Sequence, residues 1–184
     1  MPVTAQEAQQ VYDQADLLYS EEQVEQALAR MAAEISLKLK GRDPLILCVM
    51  TGGLIAAARL VTRLDFPLQI DYLHATRYAG DTQGGRLKWV VKTTHALANR
   101  EILLIDDILD EGVTLAALIR HCKNAGARAV YSAVLIEKQR ERKHELRADF
   151  VGLSVPDRYV FGYGMDYKEY WRNLPGIYAV KEQS

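Results

Sequence analysis

The sequence predicts one α/β domain whose central sheet is mainly parallel. Three apolar segments have the length and continuity of buried strands, at residues 44–50, 101–105 and 128–136. Each of the first two runs into a glycine-bearing turn and then a helical pattern, and the helix after the second leads to the third. Repeated strand–turn–helix order is typical of a parallel sheet with right-handed crossovers.

Length and composition agree with a single globular domain. The chain has 184 residues, 49% of them hydrophobic and 26% charged, which suits a packed three-layer core and excludes a disordered chain. The formal net charge of −1 argues against a nucleic-acid or anionic-membrane partner. No signal peptide or membrane span is expected. Two cysteines, Cys48 and Cys122, without paired spacing favour a cytoplasmic protein over a disulfide framework or a zinc site.

Two helices are expected in the first forty residues. Thr4 with Glu7, and Ser20 with Gln23, match the capping-box pattern of a helix start. Apolar residues follow each pair at helical spacing; they are Ala8, Val11, Ala15 and Leu18 in the first helix and Val24, Ala27, Leu28, Met31 and Ile35 in the second. Gly41 marks the expected end of the second helix.

Carboxylates dominate the segment of residues 101–115, EILLIDDILDEGVTL, here called the acidic segment. After its short apolar strand come Asp106, Asp107, Asp110, Glu111, Gly112 and Thr114, and a helical pattern begins at Leu115. A helix start behind a glycine-bearing turn offers unpaired N–H groups to a phosphate. Surrounding carboxylates would repel a phosphate alone, so they indicate hydroxyl groups, a divalent metal or a developing cation nearby. A solvated acidic turn is the alternative interpretation.

The other segments carry weaker signals. Residues 51–53, Thr51-Gly52-Gly53, are here called the glycine turn, and alone they indicate only a tight connection between strand and helix. Residues 68–76 alternate as a half-buried strand should, and a glycine-rich loop at 77–86 separates them from a further strand. A charged run follows the strand at 128–136, and the C-terminal residues 148–180 are rich in tyrosine.

Taken in order, these segments resemble the motifs of type I phosphoribosyltransferases that act on 6-oxopurines. The resemblance extends from about Leu45 to Val180. It implies the type I phosphoribosyltransferase fold, α/β, with a central parallel sheet flanked by helices and a small C-terminal base-binding hood. The single domain, residues 1–184, would then comprise N-terminal helices to about residue 40, an α/β core at 44–147 and hood strands at 148–184.

The implied reaction moves 5-phosphoribosyl from phosphoribosyl pyrophosphate to an imidazole-ring nitrogen of hypoxanthine or guanine, with Mg²⁺ bridging pyrophosphate and ribose hydroxyls. Breaking the anomeric bond makes a cationic ribose, and this explains the carboxylates of the acidic segment. By resemblance, Asp106 and Asp107 hold the ribose hydroxyls, directly or through metal, and Asp110 is the general base. The residues that wrap the 5′-phosphate are Asp110, Glu111, Gly112, Val113 and Thr114.

The resemblance implies that pyrophosphate is bound by the backbone of Thr51 and Gly52 and by the side chain of Arg172. A cis non-proline peptide is expected near Thr51. For the base the resemblance implies Lys138 at the 6-oxo group, because an ammonium only donates hydrogen bonds and therefore suits a keto oxygen. The further base-binding residues are Tyr159 by stacking, Val160 by its backbone, and Asp166, which could instead hold a metal through water. Arg77 and Tyr78 match a loop that closes over the site as a lid.

Two positions depart from the family pattern. Glu111 stands where relatives often have Thr or Ser, and a carboxylate beside a phosphate dianion is repulsive unless it points away or pairs with a cation. Val113 replaces a residue that is often basic, so we expect normal chemistry with altered affinity for the donor. The alternatives are a xanthine- or uracil-directed transferase and a non-catalytic nucleotide- or RNA-binding regulator on the same fold. The family analogy implies a homodimer or homotetramer.

Overall fold

The structure is a computed structural model that describes residues 3–77, 87–140 and 146–182. Its helices are α1 (Ala5–Gln14), α2 (Glu21–Leu39), α3 (Gly53–Val61) and α4 (Val113–Asn124). Its strands are β1 (Asp16–Tyr19), β2 (Leu45–Met50), β3 (Gln69–Arg77), β4 (Leu87–Val91), β5 (Glu101–Leu109), β6 (Ala129–Gln139), β7 (Phe150–Pro156), β8 (Val160–Phe161) and β9 (Ile177–Ala179).

The main sheet has six strands in the order β4-β3-β2-β5-β6-β7. Strands β3, β2, β5, β6 and β7 run parallel to their neighbours, and β4 pairs antiparallel with β3 as the second arm of a hairpin. The predicted mainly parallel sheet is therefore confirmed. Its parallel order brings the carboxyl ends of β2, β5 and β6 to one edge, where ligands bind in open α/β sheets.

Helices cover both faces of this sheet. Alternate residues of β2 and β5 point to opposite sides: Ile46 and Leu103 pack in the core beneath α2 and α3, whereas Leu47 and Leu104 pack in the core that includes α4. Because both faces are buried, the central strands read as continuous apolar runs in the sequence. None of the helices in the described ranges combines the length and apolar character that a membrane crossing requires.

The first predicted helix is shorter than its apolar pattern suggested. Its capping box is present, with the Glu7 N–H donating to Thr4 Oγ1 at 3.2 Å. The helix ends at Gln14, however, and β1 follows, so the assignment of Leu18 to its apolar stripe was wrong. Strand β1 pairs with β9 at the other end of the chain, and this distant pairing overrides the local helical spacing.

A small three-stranded sheet in the order β1-β9-β8 stands apart from the main one. It contains two of the three strands that lie within residues 148–184, the range predicted as the hood. The third, β7, is the edge strand of the main sheet and pairs parallel with β6, from Ala133 with Phe150 to Gln139 with Pro156. The structure thus divides that range between the two sheets, because the parallel register with β6 completes the buried core beside α2.

Candidate functional site

The glycine turn connects β2 to α3 at the carboxyl edge of the main sheet. The peptide bond between Met50 and Thr51 is cis, as the sequence analysis expected. Thr51 is exposed, and its carbonyl accepts a hydrogen bond from the Leu54 N–H at 3.3 Å. Gly52 precedes the first residue of α3, so the unpaired N–H groups of that helix face this edge of the sheet.

Close packing against the acidic segment explains both glycines of this turn. A Cβ atom on Gly52 would lie 1.9 Å from Oδ2 of Asp107, and one on Gly53 would lie 2.7 Å from the carbonyl oxygen of Ile105. A methyl group at either position would collide with the acidic segment. The two motifs recognised separately in the sequence therefore touch in the structure.

The two adjacent carboxylates lie within β5 rather than after it. The sequence analysis ended this strand at residue 105, but pairing with β6 continues through Leu109 opposite Glu137. Each carboxylate accepts the N–H of the next residue, from Asp107 to Asp106 Oδ1 at 2.9 Å and from Ile108 to Asp107 Oδ1 at 2.8 Å. Extended backbone thus fixes both side chains at the edge of the site.

Burial raises the pKa of both carboxyl groups, and for Asp106 the neighbouring charge of Asp107 raises the pKa further. The positive charge of Arg172 opposes the shift at Asp107. Two partly buried acids side by side disfavour their own ionisation, so the pair would gain from a cation or from hydroxyl donors in front of it. This electrostatic situation suits a divalent metal or a sugar diol.

Only three residues, Asp110 to Gly112, separate β5 from α4. Gly112 has a left-handed backbone, with φ of 79°, which a side chain would disfavour. Val113 and Thr114 form the first turn of α4, so both already belong to the helix start that the phosphate prediction requires. Glu111 is exposed.

Asp110 lies between two cations, Lys138 near the end of β6 and Arg140 directly after that strand. Lys138 Nζ donates to Asp110 Oδ2 at 3.3 Å, and Arg140 Nη1 donates to Oδ1 at 2.7 Å. Both cations also lie near Asp157 Oδ1, at 3.7 Å and 3.5 Å. Burial alone would raise the pKa of Asp110, but the hydrogen bond from Arg140 and the charge of Lys138 outweigh it and hold that pKa below its ordinary value.

The position of Arg140 bears on the concern about Glu111. The hydrogen bond to Asp110 is the main reason why the pKa of the Arg140 guanidinium lies above its ordinary value, and the charges of Asp157 and Glu111 add to it. Glu111 therefore lies close enough to Arg140 for their opposite charges to attract each other.

Tyr159 and Val160 begin the small-sheet side of the site. The Tyr159 side chain is 49% exposed, and its ring meets that of Tyr167 edge-on with centroids 5.5 Å apart. Val160 is buried and pairs with Ala179 of β9. An exposed ring beside a strand fixed by pairing is an arrangement in which the ring face is available for stacking.

Arg172 and Asp166 form an ion pair in the segment of residues 162–174, here called the hood turn. Arg172 Nη2 lies 2.9 Å from Asp166 Oδ1, and Arg172 Nη1 donates to the Gly164 carbonyl at 2.8 Å. Gly164 has φ of 104°, and a Cβ on it would lie 2.1 Å from the carbonyl oxygen of Gly52. The hood turn therefore rests directly on the glycine turn.

The structure thus brings together the predicted residues of the glycine turn, the acidic segment, β6 and the hood turn. The predicted lid is only partly covered by the described residues. Arg77 is the last residue of β3, and Tyr78 lies outside the described residues. Within residues 3–77, 87–140 and 146–182, no group of three or more His, Cys, Asp or Glu side chains is arranged to hold a metal ion by itself.

Three contacts at the site were missed by sequence reasoning. Arg140 pairs with Asp110, the predicted general base, and Asp157 lies beside Lys138 and Arg140. Gly164 contacts the glycine turn. Arg140 could have been found, because it lies one residue beyond β6, and extending the strand by that residue puts it on the same face as Lys138, which had already been selected. The contact of Gly164 joins two segments that are more than a hundred residues apart in the chain. The position of Asp157 depends on the backbone path of the C-terminal segment.

Comparison with known proteins agrees with this geometry. The family model described as the phosphoribosyl transferase domain matches residues 14–169. The curated hypoxanthine-guanine phosphoribosyltransferase of Bacillus subtilis (strain 168) is 34% identical over 171 residues, which are 92% of this chain and 95% of that protein.

Solved structures show the same relationship. A hypoxanthine-guanine phosphoribosyltransferase of Bacillus anthracis superposes with a TM-score of 0.86 at 30% identity, covering 90% of this chain and 98% of that one. A hypoxanthine phosphoribosyltransferase of Staphylococcus aureus gives a TM-score of 0.87 at 27% identity, covering 92% and 94%. The match of fold, motif order and site geometry over nearly the whole length means that the chain belongs to the phosphoribosyltransferase family.

Proposed function

We propose that this protein is a purine-salvage enzyme, a glycosyltransferase that moves 5-phosphoribosyl from phosphoribosyl pyrophosphate to hypoxanthine or guanine and releases pyrophosphate. The observation that carries the proposal is the 3.3 Å hydrogen bond from Lys138 to Asp110. It joins the residue suited to read a 6-oxo group to the residue suited to take the purine proton. The names of the relatives agree, since the full-length matches include hypoxanthine-guanine and hypoxanthine phosphoribosyltransferases, and one is named a hypoxanthine-guanine-xanthine phosphoribosyltransferase.

In the proposed reaction, the bond between the anomeric carbon of ribose and a pyrophosphate oxygen breaks. A bond forms between that carbon and an imidazole-ring nitrogen of the purine, and the proton of that nitrogen passes to Asp110. The positive charge on ribose in the transition state is stabilised by the carboxylates of Asp106 and Asp107. The start of α4, with Gly112, Val113 and Thr114, holds the 5′-phosphate at the positive end of the helix.

Asp110 is ionised at neutral pH, as a proton acceptor must be, and its lowered pKa makes it a weak base as long as Lys138 and Arg140 are paired with it. When a purine enters, its 6-oxo oxygen takes a hydrogen bond from Lys138 in exchange for the one that Lys138 gives to Asp110. This exchange makes the carboxylate more basic as the purine N–H arrives. An amino group in place of the oxo group offers no acceptor in that exchange, so adenine is disfavoured.

The base lies against the ring of Tyr159, a contact worth about 1–3 kcal/mol for bases on aromatic side chains. The backbone of Val160 and the carboxylate of Asp166 bind the edge of the base, and Asp166 has the further option of a water-bound metal. Pyrophosphate is held by the backbone of Thr51 and Gly52 and by Arg172. The contact between Gly164 and Gly52 supports this pairing, because it keeps the two sides of the pyrophosphate site adjacent.

Mg²⁺ fits the residues present. This ion is held in phosphoryl-containing sites by one or two carboxylates together with substrate phosphates, rather than by a complete protein cage. Asp106 and Asp107 are two such carboxylates, and burial raises the pKa of each, so a cation beside them would favour their ionised form. When bound, the ion would neutralise charge on the leaving pyrophosphate.

We also propose a homo-oligomeric protein, dimer or tetramer, that acts in the cytoplasm. Exposed apolar side chains support the oligomer: Ile70 and Tyr72 on β3 are 55% and 47% exposed, and Val90 on β4 is 55% exposed. Because these side chains are on adjacent strands, they form a patch that a second copy of the chain would cover. Light scattering tests the oligomer and cell fractionation tests the location.

The decisive experiment measures pyrophosphate release from phosphoribosyl pyrophosphate and Mg²⁺ with hypoxanthine, guanine, xanthine, adenine or uracil. We expect turnover with hypoxanthine or guanine, and loss of that turnover in Asp110→Asn. The matched control is Asp65→Asn, which removes a 76% exposed carboxylate paired only with Lys40 among the described contacts. Turnover confined to xanthine or uracil would correct the specificity. Binding of nucleotide or RNA without turnover of any base would replace the enzyme proposal with a regulatory one.

A further inference from the structure

A four-residue cluster outside the substrate site joins three parts of the fold. Glu25 on α2 accepts hydrogen bonds at Oε1 from the Tyr163 hydroxyl at 2.6 Å and from Arg59 Nη2 at 2.7 Å. Its other oxygen, Oε2, pairs with the Arg63 guanidinium. Arg59 and Arg63 belong to α3 and to the turn after it, and Tyr163 belongs to the hood turn. We call these four residues the Glu25 cluster.

The hydrogen bond between Glu25 and Tyr163 is the shielded part of this cluster, whereas the Arg59 side chain is half exposed. Tyr163 is only 3% exposed, and the Glu25 side chain is 22% exposed. Hydrogen bonds that involve a charged partner in partly buried surroundings are stronger than neutral ones. One carboxylate thus holds two guanidinium groups and one hydroxyl group, and the loss of its charge would leave Arg59 and Arg63 close together without compensation.

From Tyr163 the main chain leads directly to Arg172. The N–H of Tyr163 donates to the Leu174 carbonyl and the N–H of Gly164 donates to the Arg172 carbonyl, both at 2.8 Å. The Arg172 side chain returns to the Gly164 carbonyl at 2.8 Å. A displacement of Tyr163 would therefore displace Gly164, and with it the guanidinium of Arg172.

From Arg59 the helix α3 leads to the glycine turn. Gly53 is the first residue of α3, and Arg59 lies six residues later, which at 1.5 Å a residue is about 9 Å along the axis. The same helix therefore carries the glycine turn at its start and the Glu25 contact near its end. Where Gly164 rests on Gly52, the two paths from Glu25 meet and close a loop of contacts.

We propose that Glu25 and Tyr163 are positioning residues for the pyrophosphate site: their hydrogen bond sets the separation between the glycine turn and Arg172. The proposal rests on the proposed function, because it assigns these two groups to pyrophosphate. Neither Glu25 nor Tyr163 touches the substrate. Their effect is on the donor side of the site. On the base side, Lys138 is held by Asp110 and Tyr159 packs against Tyr167, so neither depends on the Glu25 cluster.

The test compares Tyr163→Phe with Tyr19→Phe. The second variant is a matched control, because the Tyr19 hydroxyl also makes one hydrogen bond of 2.6 Å, to the Ser154 carbonyl on β7, away from the hood turn. Steady-state kinetics give the KM of phosphoribosyl pyrophosphate, the KM of the base and kcat. Calorimetry with Mg²⁺ and pyrophosphate gives binding without turnover, and amide hydrogen exchange reports the Gly164 N–H.

For Tyr163→Phe we expect the donor KM and the pyrophosphate Kd to rise about fivefold, with base KM and kcat within about twofold. The rise is smaller than the roughly 10- to 150-fold worth of a hydrogen bond to a charged group, because the lost bond acts on the pyrophosphate site only through Gly164 and α3. The Gly164 amide should exchange faster. Glu25→Gln keeps an acceptor for Tyr163 but loses the charge, and we expect it to shift the same parameters in the same direction. Tyr19→Phe should leave all of them unchanged, even where it lowers Tm as much.

Unchanged donor KM, pyrophosphate Kd and Gly164 exchange in both Tyr163→Phe and Glu25→Gln would overturn the positioning role. So would equal changes in donor and base KM, which indicate general loosening. Failure of the proposed function gives a different result, namely no turnover by the unmodified protein with any 6-oxopurine. In that case pyrophosphate binding still decides: weaker binding in Tyr163→Phe supports the positioning role, and no binding by the unmodified protein overturns it.

Discussion

The Nζ atom of Lys138 lies 3.3 Å from Oδ2 of Asp110, so the proposed reader of the purine is hydrogen-bonded directly to the proposed general base. In the proposed reaction this arrangement couples recognition of the base to proton transfer. A ligand that takes the lysine hydrogen bond also alters the basicity of the carboxylate, whereas a ligand without a suitable acceptor leaves the pair intact.

Lys138→Gln tests this coupling. We expect kcat/KM for hypoxanthine to fall roughly 10- to 100-fold, because a hydrogen bond from a charged donor to the 6-oxo group is lost. Adenine should gain relative to hypoxanthine, since the amide can accept as well as donate. The measurement is kcat/KM for both bases. Lys40→Gln, at a surface pair with Asp65, is the control, and an equal loss in both variants would contradict the assignment.

Arg140→Gln should move the acidic limb of the pH profile of kcat/KM to higher pH. Asp110 must be ionised to accept the purine proton, and the hydrogen bond from Arg140 helps to hold its pKa below the ordinary value against the effect of burial. Without that guanidinium the pKa of Asp110 rises. The profile is measured for the base at saturating Mg²⁺ and donor, which would keep Asp106 and Asp107 ionised, so the limb reports Asp110 and the rate begins to fall at a higher pH. Lys138 stays paired with Asp110, and Asp157 lies 3.7 Å from Lys138.

The conservative variant Arg140→Lys keeps the positive charge and should retain most of the original profile. If Arg140→Gln and the unmodified protein have superimposable acidic limbs, Arg140 does not control the ionisation of Asp110. A shift to lower pH would have the wrong sign and would contradict the ion pair itself.

Gly164→Ala should weaken donor binding beyond its effect on stability. A Cβ at this position would meet the Gly52 carbonyl oxygen at 2.1 Å, so the hood turn and the glycine turn must separate. Gly41→Ala is the control, because Gly41 also has positive φ, of 80°, but nothing lies within 4 Å of its added Cβ. We expect Gly41→Ala to cost on the order of 1 kcal/mol in stability without a change in donor KM. Urea unfolding and donor KM, measured on both variants, distinguish the two effects.

Asp71 should make the stability of the fold dependent on acid pH. Burial would raise its pKa, but hydrogen bonds from Thr93, from His95 and from backbone N–H groups outweigh burial and lower it strongly. A carboxyl group with a lowered pKa in the folded state contributes stability above its unfolded pKa of about 3.9, and loses that contribution as pH falls towards the folded value.

Asp71→Asn should therefore be less stable than the unmodified protein at pH 7, and the difference should shrink at pH 3. Urea midpoints at the two pH values measure this. Asp65→Asn, which removes an exposed carboxylate, should show a small difference at both. A constant difference for Asp71→Asn would show that the network around Asp71 stabilises the fold through shape and not through charge.

Both cysteines should resist thiol reagents in the native protein. Cys48 and Cys122 are buried, and burial raises the pKa of each thiol to about 11, so little thiolate forms near neutral pH. Titration with a chromogenic disulfide at pH 8 should detect far less than one thiol per chain before denaturation and two thiols after it. Rapid labelling of Cys48 without unfolding would show that the strand beside the acidic segment opens.

The central elements were predictable because their signals are local. Continuous apolar strands, glycine turns and helix starts identified β2, β5, α3 and α4, and the cis peptide at Thr51 was expected from resemblance. The roles assigned to Asp110, Lys138, Tyr159 and Arg172 stay predictions, although the structure brings their segments together.

The remaining features depend on distant pairing. Asp16–Tyr19 forms a strand only because β9, far along the chain, supplies its partner, and β5 extends past its apolar run because β6 continues to pair with it. The contact between Glu25 and Tyr163 could not be predicted from the sequence, because a charged residue on an amphipathic helix is ordinarily solvated.

The contact between Gly164 and Gly52 has a consequence for protein engineering. A specificity change made by transplanting the C-terminal region of another enzyme would bring in a foreign backbone at the point where no side chain fits. Such chimeras should be active only when both parent enzymes have glycine at the positions of Gly52 and Gly164 and a hydrogen-bond partner for the Tyr163 hydroxyl. The segment proposed to read the base is therefore not an interchangeable module, because it packs directly against the segment proposed to hold the leaving group.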